Sequence, residues 1–90
     1  MAKIYSYGSA RTAPIEYIAT EATDLVVGDL ATVTDGALTK AESNPTYLVV
    51  GKVVDGVVPA VAILDDMVLE SETAITGYTE VAENRYRKTV

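Results

Sequence analysis

From Ile15 onward, apolar and polar positions alternate with a period of two. Ile15, Tyr17 and Ala19 fall on one face, and Glu16, Ile18 and Thr20 on the other, the repeat of a strand. Leu30, Thr32 and Thr34 alternate in the same way with Ala31, Val33 and Asp35. Asp35-Gly36 then divides this run from Ala37-Leu38-Thr39-Lys40-Ala41. A weaker echo runs from Val49 to Leu64, where Asp55-Gly56 again separates two apolar-rich stretches. Asp-Gly between such runs signals a hairpin, because a type I′ turn needs positive φ at both central residues. The middle of the chain therefore predicts two hairpins in tandem. The small vocabulary of hairpin turns accounts for the echo without a duplication.

The remaining elements follow from their breakers. Gly28-Asp29 predicts a turn or bulge, and 42–46, with Asn44-Pro45, a loop. Residues 47–54 predict a strand interrupted at Gly51, where a bulge or a close backbone approach is expected. In the returning strand 57–64, Pro59 cannot donate to a ladder, which puts that end at an edge or a bulge. A short strand 67–69, a loop 70–72 and a last strand 73–81 complete the pattern. This spacing predicts an all-β, small single-domain β-barrel or sandwich of about six to eight short strands, with two Asp-Gly hairpins and extended termini. Three parts are expected: an N-terminal arm 1–14, a β domain 15–82 and a basic C-terminal tail 83–90. The arm has too few apolar residues for a core face. Yet Ile4, Tyr5 and Tyr7 favour extended backbone, a patch suited to adding a strand to another chain's sheet.

Composition sharpens the class. Val (thirteen), Thr (eleven) and Ile (five) make up about a third of the 90 residues, and branching at Cβ favours strands. Apolar volume comes from Val and twelve Ala, with no Phe, Trp or Cys. A small Val/Ala core without disulfides is expected to gain stability by oligomerising or docking. No apolar stretch reaches the length of a membrane span, and the first residues lack the apolar run of a signal peptide. A reducing cytosol is the expected compartment before assembly.

Charge is unevenly placed. The net charge is −6. Residues 1–14 carry +2 from Lys3 and Arg11, residues 85–90 carry +3 from Arg85, Arg87 and Lys88, and residues 15–84 carry −11. An acidic body is repelled by nucleic acid, whereas basic ends suit an acidic protein surface. Neither nucleic acid nor membrane is an expected partner.

Candidate chemistry is sparse. Without His or Cys, the commonest general base, the thiol nucleophile and Zn–thiolate sites are absent. Ser43 or Ser71 with Lys40 or Lys52 would make a Ser-Lys dyad, but no motif surrounds them. Asp65-Asp66 and Glu70 with Glu72 are the only close carboxylate pairs considered for acid–base or cation work, and turn formation explains the first more simply. No Gly cluster forms a phosphate loop. A lipoyl- or biotinyl-type carrier would need Lys at a hairpin tip, where Ala37 and Val57 stand instead. No enzyme activity, cofactor or metal is expected.

The order Gly28-Asp29-Leu30, Asp35-Gly36, Leu38-Thr39-Lys40-Ala41, Asn44-Pro45, Val49-Val50-Gly51-Lys52-Val53-Val54-Asp55-Gly56 and Val61-Ala62-Ile63-Leu64 resembles the small capsid decoration, or cement, proteins of tailed bacteriophages. The resemblance covers residues 25–64. It implies a compact β fold, often trimeric, on the outer surface of the virion head, binding the major capsid protein and locking neighbouring subunits without catalysis. An arm that orders on binding is also implied. Carried onto this chain, the capsid contacts are Lys3, Ile4, Tyr5, Tyr7 and Arg11, with Arg85 and Arg87 as a secondary contact. The alternative is a small β-barrel structural or interaction subunit of another assembly: a tail, a fibre or a head–tail component.

Overall fold

The structure, a computed structural model, describes residues 2–8 and 14–89. These residues form nine strands: β1 (Ala2–Ser6), β2 (Ile15–Ala19), β3 (Leu30–Thr34), β4 (Ala37–Lys40), β5 (Tyr47–Val49), β6 (Val57–Ala62), β7 (Val68–Ser71), β8 (Tyr78–Ala82) and β9 (Arg85–Lys88). Four make one sheet in the order β1-β7-β9-β8, and five make a second in the order β2-β6-β5-β3-β4. All strand pairings are antiparallel. The architecture is a sandwich-like pair of sheets rather than a closed barrel. No helix among the described residues is long and apolar enough to cross a membrane.

Both Asp-Gly turns form as the sequence predicts. Asp35 and Gly36 have φ of 51° and 81°, and Asp55 and Gly56 have 52° and 73°, the left-handed pair that a type I′ turn requires. The first turn joins a regular hairpin from Thr34↔Ala37 to Ala31↔Lys40. The second is closed by Val54 and Val57, which exchange backbone hydrogen bonds of 2.9 and 3.0 Å.

The predicted strand 47–54 is broken after Val49. Val50 N–H donates to the Pro59 carbonyl at 3.0 Å, and residues 51–53 then leave the ladder before Val54 meets Val57. A residue's N–H and C=O point to the same side of a strand. The N–H that Pro59 lacks would thus face the point where the neighbouring strand leaves the ladder. Gly51 sits against this proline, and a Cβ there would run into its ring. The bulge expected of Pro59 and the close approach expected of Gly51 are one feature.

Alternation lets β5 and β6 serve two cores. Val49, Val58 and Ala60 point to one face and pack with Leu25, Ala31 and Leu38. Leu48 and Val61 point to the other and, with Ile63, meet Ala2, Met67, Leu69, Ile75 and Tyr86. The five-stranded sheet curls around the first cluster, bringing its edge strands β2 and β4 into contact. The buried Thr20 hydroxyl bridges that gap by donating to the Leu38 carbonyl at 2.7 Å.

Three expectations at the ends and the last strand are corrected. Residues 2–6 are not a coreless arm: β1 pairs with β7, Ala2 is buried, and Ile4 packs on the inter-sheet core. Residues 85–88 are not a tail: β9 lies between β7 and β8, and Tyr86 is buried. The predicted strand 73–81 shrinks to β8. Ile75 plugs the core from a loop, Asn44 N–H donates to the Thr76 carbonyl at 2.9 Å, and Gly77 turns the chain at φ 89°. Likewise Glu70 and Ser71, expected in a loop, continue β7. The partner of β1 lies far away in sequence, whereas β8 and β9 also pair with each other across a tight turn.

Candidate docking face

Strand β7 lies between β1 and β9, so the two sequence-distant ends meet on one sheet. Their inward residues, Ala2, Ile4, Leu69, Ser71 and Tyr86, face the core or are buried. The alternate positions, Lys3, Glu70, Arg85 and Arg87, must then point outward. Lys3 Nζ lies 3.3 Å from Glu70 Oε2, and an Arg85 terminal nitrogen lies 3.5 Å from Glu70 Oε1. A register shift between Ile4 and Ser6 makes Tyr5 a bulge residue. Tyr5 is 57% exposed, and its ring carries the Arg85 guanidinium over one face. Arg85 Nε is buried without a hydrogen-bond partner, and the Tyr5 ring is the group beside it.

Three cations, Lys3, Arg85 and Arg87, thus stand around the Glu70 carboxylate on a chain of net charge −6, with Glu72 at the margin beside Lys3. Glu70 is shared by Lys3 and Arg85. Among the described residues Arg87 pairs with no carboxylate; it stands exposed opposite Thr79. The Thr79 hydroxyl is itself taken by Thr89 at 2.7 Å. Exposed ion pairs contribute little stability, so the main effect of this arrangement is the field it presents.

Of the residues expected to contact a partner, Lys3, Tyr5, Arg85 and Arg87 come together here. Ile4 faces the core instead. Tyr7 lies beyond the end of β1, beside Gly8, which packs on the Asp66 backbone. Arg11 lies outside the described residues. Glu70, which organises the face, was missed because 70–72 reads as a polar loop. The signal for it is alternation: Leu69 and Ser71 are buried, Val68 and Glu70 are not.

Several of the groups raised for catalysis have structural partners. The Ser71 hydroxyl donates to the Thr73 carbonyl at 2.7 Å, and Ser43 accepts from the Asn44 side chain. Lys40 pairs with Asp29 at 3.6 Å, at the rim of an open cleft of about 420 Å³ between the sheets. Asp65 meets Lys88 at 3.9 Å. Among the described residues no group of three or more His, Cys, Asp or Glu is placed to hold a metal ion. The perturbed tyrosines are all pushed upward: Tyr78 to about 12 by burial and then Asp65, Tyr86 by burial and then Glu80, and Tyr47 by burial and then Glu16. Each stays a neutral hydrogen-bond donor at ordinary pH. No family model, curated protein or solved structure matches the chain.

Proposed function

We propose that this protein decorates the head of a tailed bacteriophage, docking through its basic face onto an acidic region of the outer capsid surface and stabilising contacts between major capsid subunits without catalysis. The observation that carries this reading is the convergence of Lys3, Arg85 and Arg87 around Tyr5 on one face of an otherwise acidic molecule. Such a face steers encounter with an oppositely charged surface and turns away wrong partners. An exposed aromatic among cations also matches the composition of protein contact sites. The segment that resembles decoration proteins, 25–64, forms β3 to β6 together with the Asn44-Pro45 crossing. It supports the reading as the scaffold that holds the other sheet in place. Weak single contacts suffice where many copies share one shell.

The test is to fractionate phage particles on a density gradient and probe each fraction for this chain, then repeat with purified heads and Arg87→Glu protein. Wild type is expected with full heads at high copy, with binding that weakens as salt rises. The charge reversal is expected to weaken binding severalfold at low salt. Presence only among small soluble species, or unchanged binding by the variant, overturns the reading. Recovery with tails or fibres instead assigns the same face to another assembly.

A further inference from the structure

The sheet face that carries Leu48 and Val61 into the inter-sheet core continues past the cover of the first sheet. On it, Ile15, Tyr17 and Ala19 of β2 stand opposite Val61, Pro59 and Val57 of β6, and cross-strand partners share a face. Val61 is buried, but Ile15 is 54% exposed and Tyr17 74%. At the hairpin tip Val57 meets Val54, which is 64% exposed. The result is a strip of Ile15, Tyr17, Pro59, Val57 and Val54 that contains no charged residue. It shares no residue with the basic face.

We infer that this strip is where two copies of the chain pack against each other across a two-fold axis. Its exposed side chains present roughly 400 Å² of apolar surface, the size at which a patch on a small protein is commonly functional. Two copies bury about twice that from the strip alone. That total falls below the roughly 1,200 Å² of stable specific interfaces, in the range of weak and transient contacts. Charge depletion with a central tyrosine matches the composition of interface cores.

Charge sets this strip apart from the basic face. The five-stranded sheet and its loops carry Glu16, Glu21, Asp24, Asp35, Glu42 and Asp55, so an acidic partner drawn to the basic face is repelled here. A second copy offers an equally uncharged strip. Association also adds apolar burial to a domain whose own core lacks Phe and Trp. The residual repulsion between two chains of net charge −6 is long-ranged and screened by salt. The dimer therefore tightens as salt rises, opposite to a contact made by the basic face. The inference holds whichever partner that face takes.

The experiment is sedimentation equilibrium of the full chain up to about 1 mM, at low and high NaCl, with Tyr17→Glu and Val54→Lys beside wild type. These concentrations bracket a contact of this size. Wild type is expected to dimerise, more tightly by severalfold in high salt. Each variant is expected to weaken the dimer about tenfold or more, as loss of a buried interface anchor does, while melting like wild-type monomer at low concentration. Arg87→Glu should leave the dimer intact, which separates this result from any failure of docking. A chain monomeric throughout, association that weakens with salt, or a dimer indifferent to both strip variants overturns the inference. So does a monomeric wild type whose binding to heads is lost on Tyr17→Glu, because the strip would then belong to the partner.

Discussion

The Arg85 guanidinium carbon lies 3.8 Å from the centroid of the Tyr5 ring. The two residues sit on β9 and β1, which are not neighbours: β7 runs between them, and the contact passes beside Glu70. It ties together parts of the chain that are eighty residues apart in sequence. Replacing Tyr5 by Leu keeps apolar cover over the guanidinium but removes the ring. The expected loss is about 0.5–1 kcal/mol, read as a lower urea midpoint with an unchanged slope. A variant as stable as wild type would show that the stacking contributes nothing to closing this sheet.

Tyr78 joins the two sheets by donating from its hydroxyl to the Pro45 carbonyl at 2.7 Å. Tyr78→Phe leaves that carbonyl short of its donor, at an expected cost of about 1–2 kcal/mol in chemical denaturation.

The same hydroxyl sets a pH limit. Its pKa rises from 10.0 to about 12 in the fold, chiefly through burial and then through Asp65. A raised folded-state pKa means that the neutral form is favoured by folding. The unfolded tyrosine ionises first, so this contribution is complete below pH 10 and is lost as pH climbs from 10 through 12. Tyr47 and Tyr86 shift in the same direction and add to the decline. Urea midpoints measured from pH 9 to 11.5 should fall for wild type and fall less steeply for Tyr78→Phe. Parallel curves would remove Tyr78 as the source.

Two glycines with positive φ separate backbone strain from collision. Gly36 has φ 81° with open space around it, so Gly36→Ala should cost only the left-handed penalty, about 1–2 kcal/mol. Gly77 has φ 89°, and its missing Cβ would occupy the place of the Asn44 side-chain oxygen. Gly77→Ala should therefore cost clearly more, and the added variant Asn44→Ala should recover part of the difference in a double-mutant cycle. Equal costs at the two positions would deny that the Asn44–Gly77 contact is tight.

Thr20 holds the curl of the larger sheet, donating to the Leu38 carbonyl at 2.7 Å and accepting from Ala22 N–H at 3.1 Å. Thr20→Val keeps the shape and removes both bonds. A loss of about 1–3 kcal/mol is expected, with faster amide exchange in residues 20–22. Unchanged exchange there would place the curl's support in side-chain packing alone.

The centre of the chain was legible because its signals are local. Asp35-Gly36 and Asp55-Gly56 state their turn chemistry within two residues, and Pro59 with Gly51 marks the bulge between strands of one hairpin. At the N-terminal end the only strand partner among the described residues is remote, whereas β9 makes a local hairpin with β8 through Asn84 and adds the more distant β7 on its other side. Ile4 meets Leu69, and Arg85 meets Glu70; no local window contains either member of the first pair with its partner. An edge strand half open to water also looks like a solvated tail. Arg85 and Arg87 were seen as charge, yet Tyr86 between them and Asn84 before them are a strand and its turn, with Asn84 at φ 60°. The face built by Lys3, Tyr5, Arg85 and Arg87 was therefore present in the sequence as residues but not as a place.

Because β1 has no strand partner other than β7, it stays unpaired while most of the chain is being synthesised. The five-stranded sheet is complete once Ala62 has left the ribosome, but the four-stranded one must wait for its C-terminal strand. The pairings that synthesis permits first lie in the middle of the chain, and the long loop closure between Ile4 and Leu69 is of the slow, non-local kind. The strands that carry the concentrated positive charge are completed last, so a nascent chain carries the acidic scaffold before it carries the whole basic face.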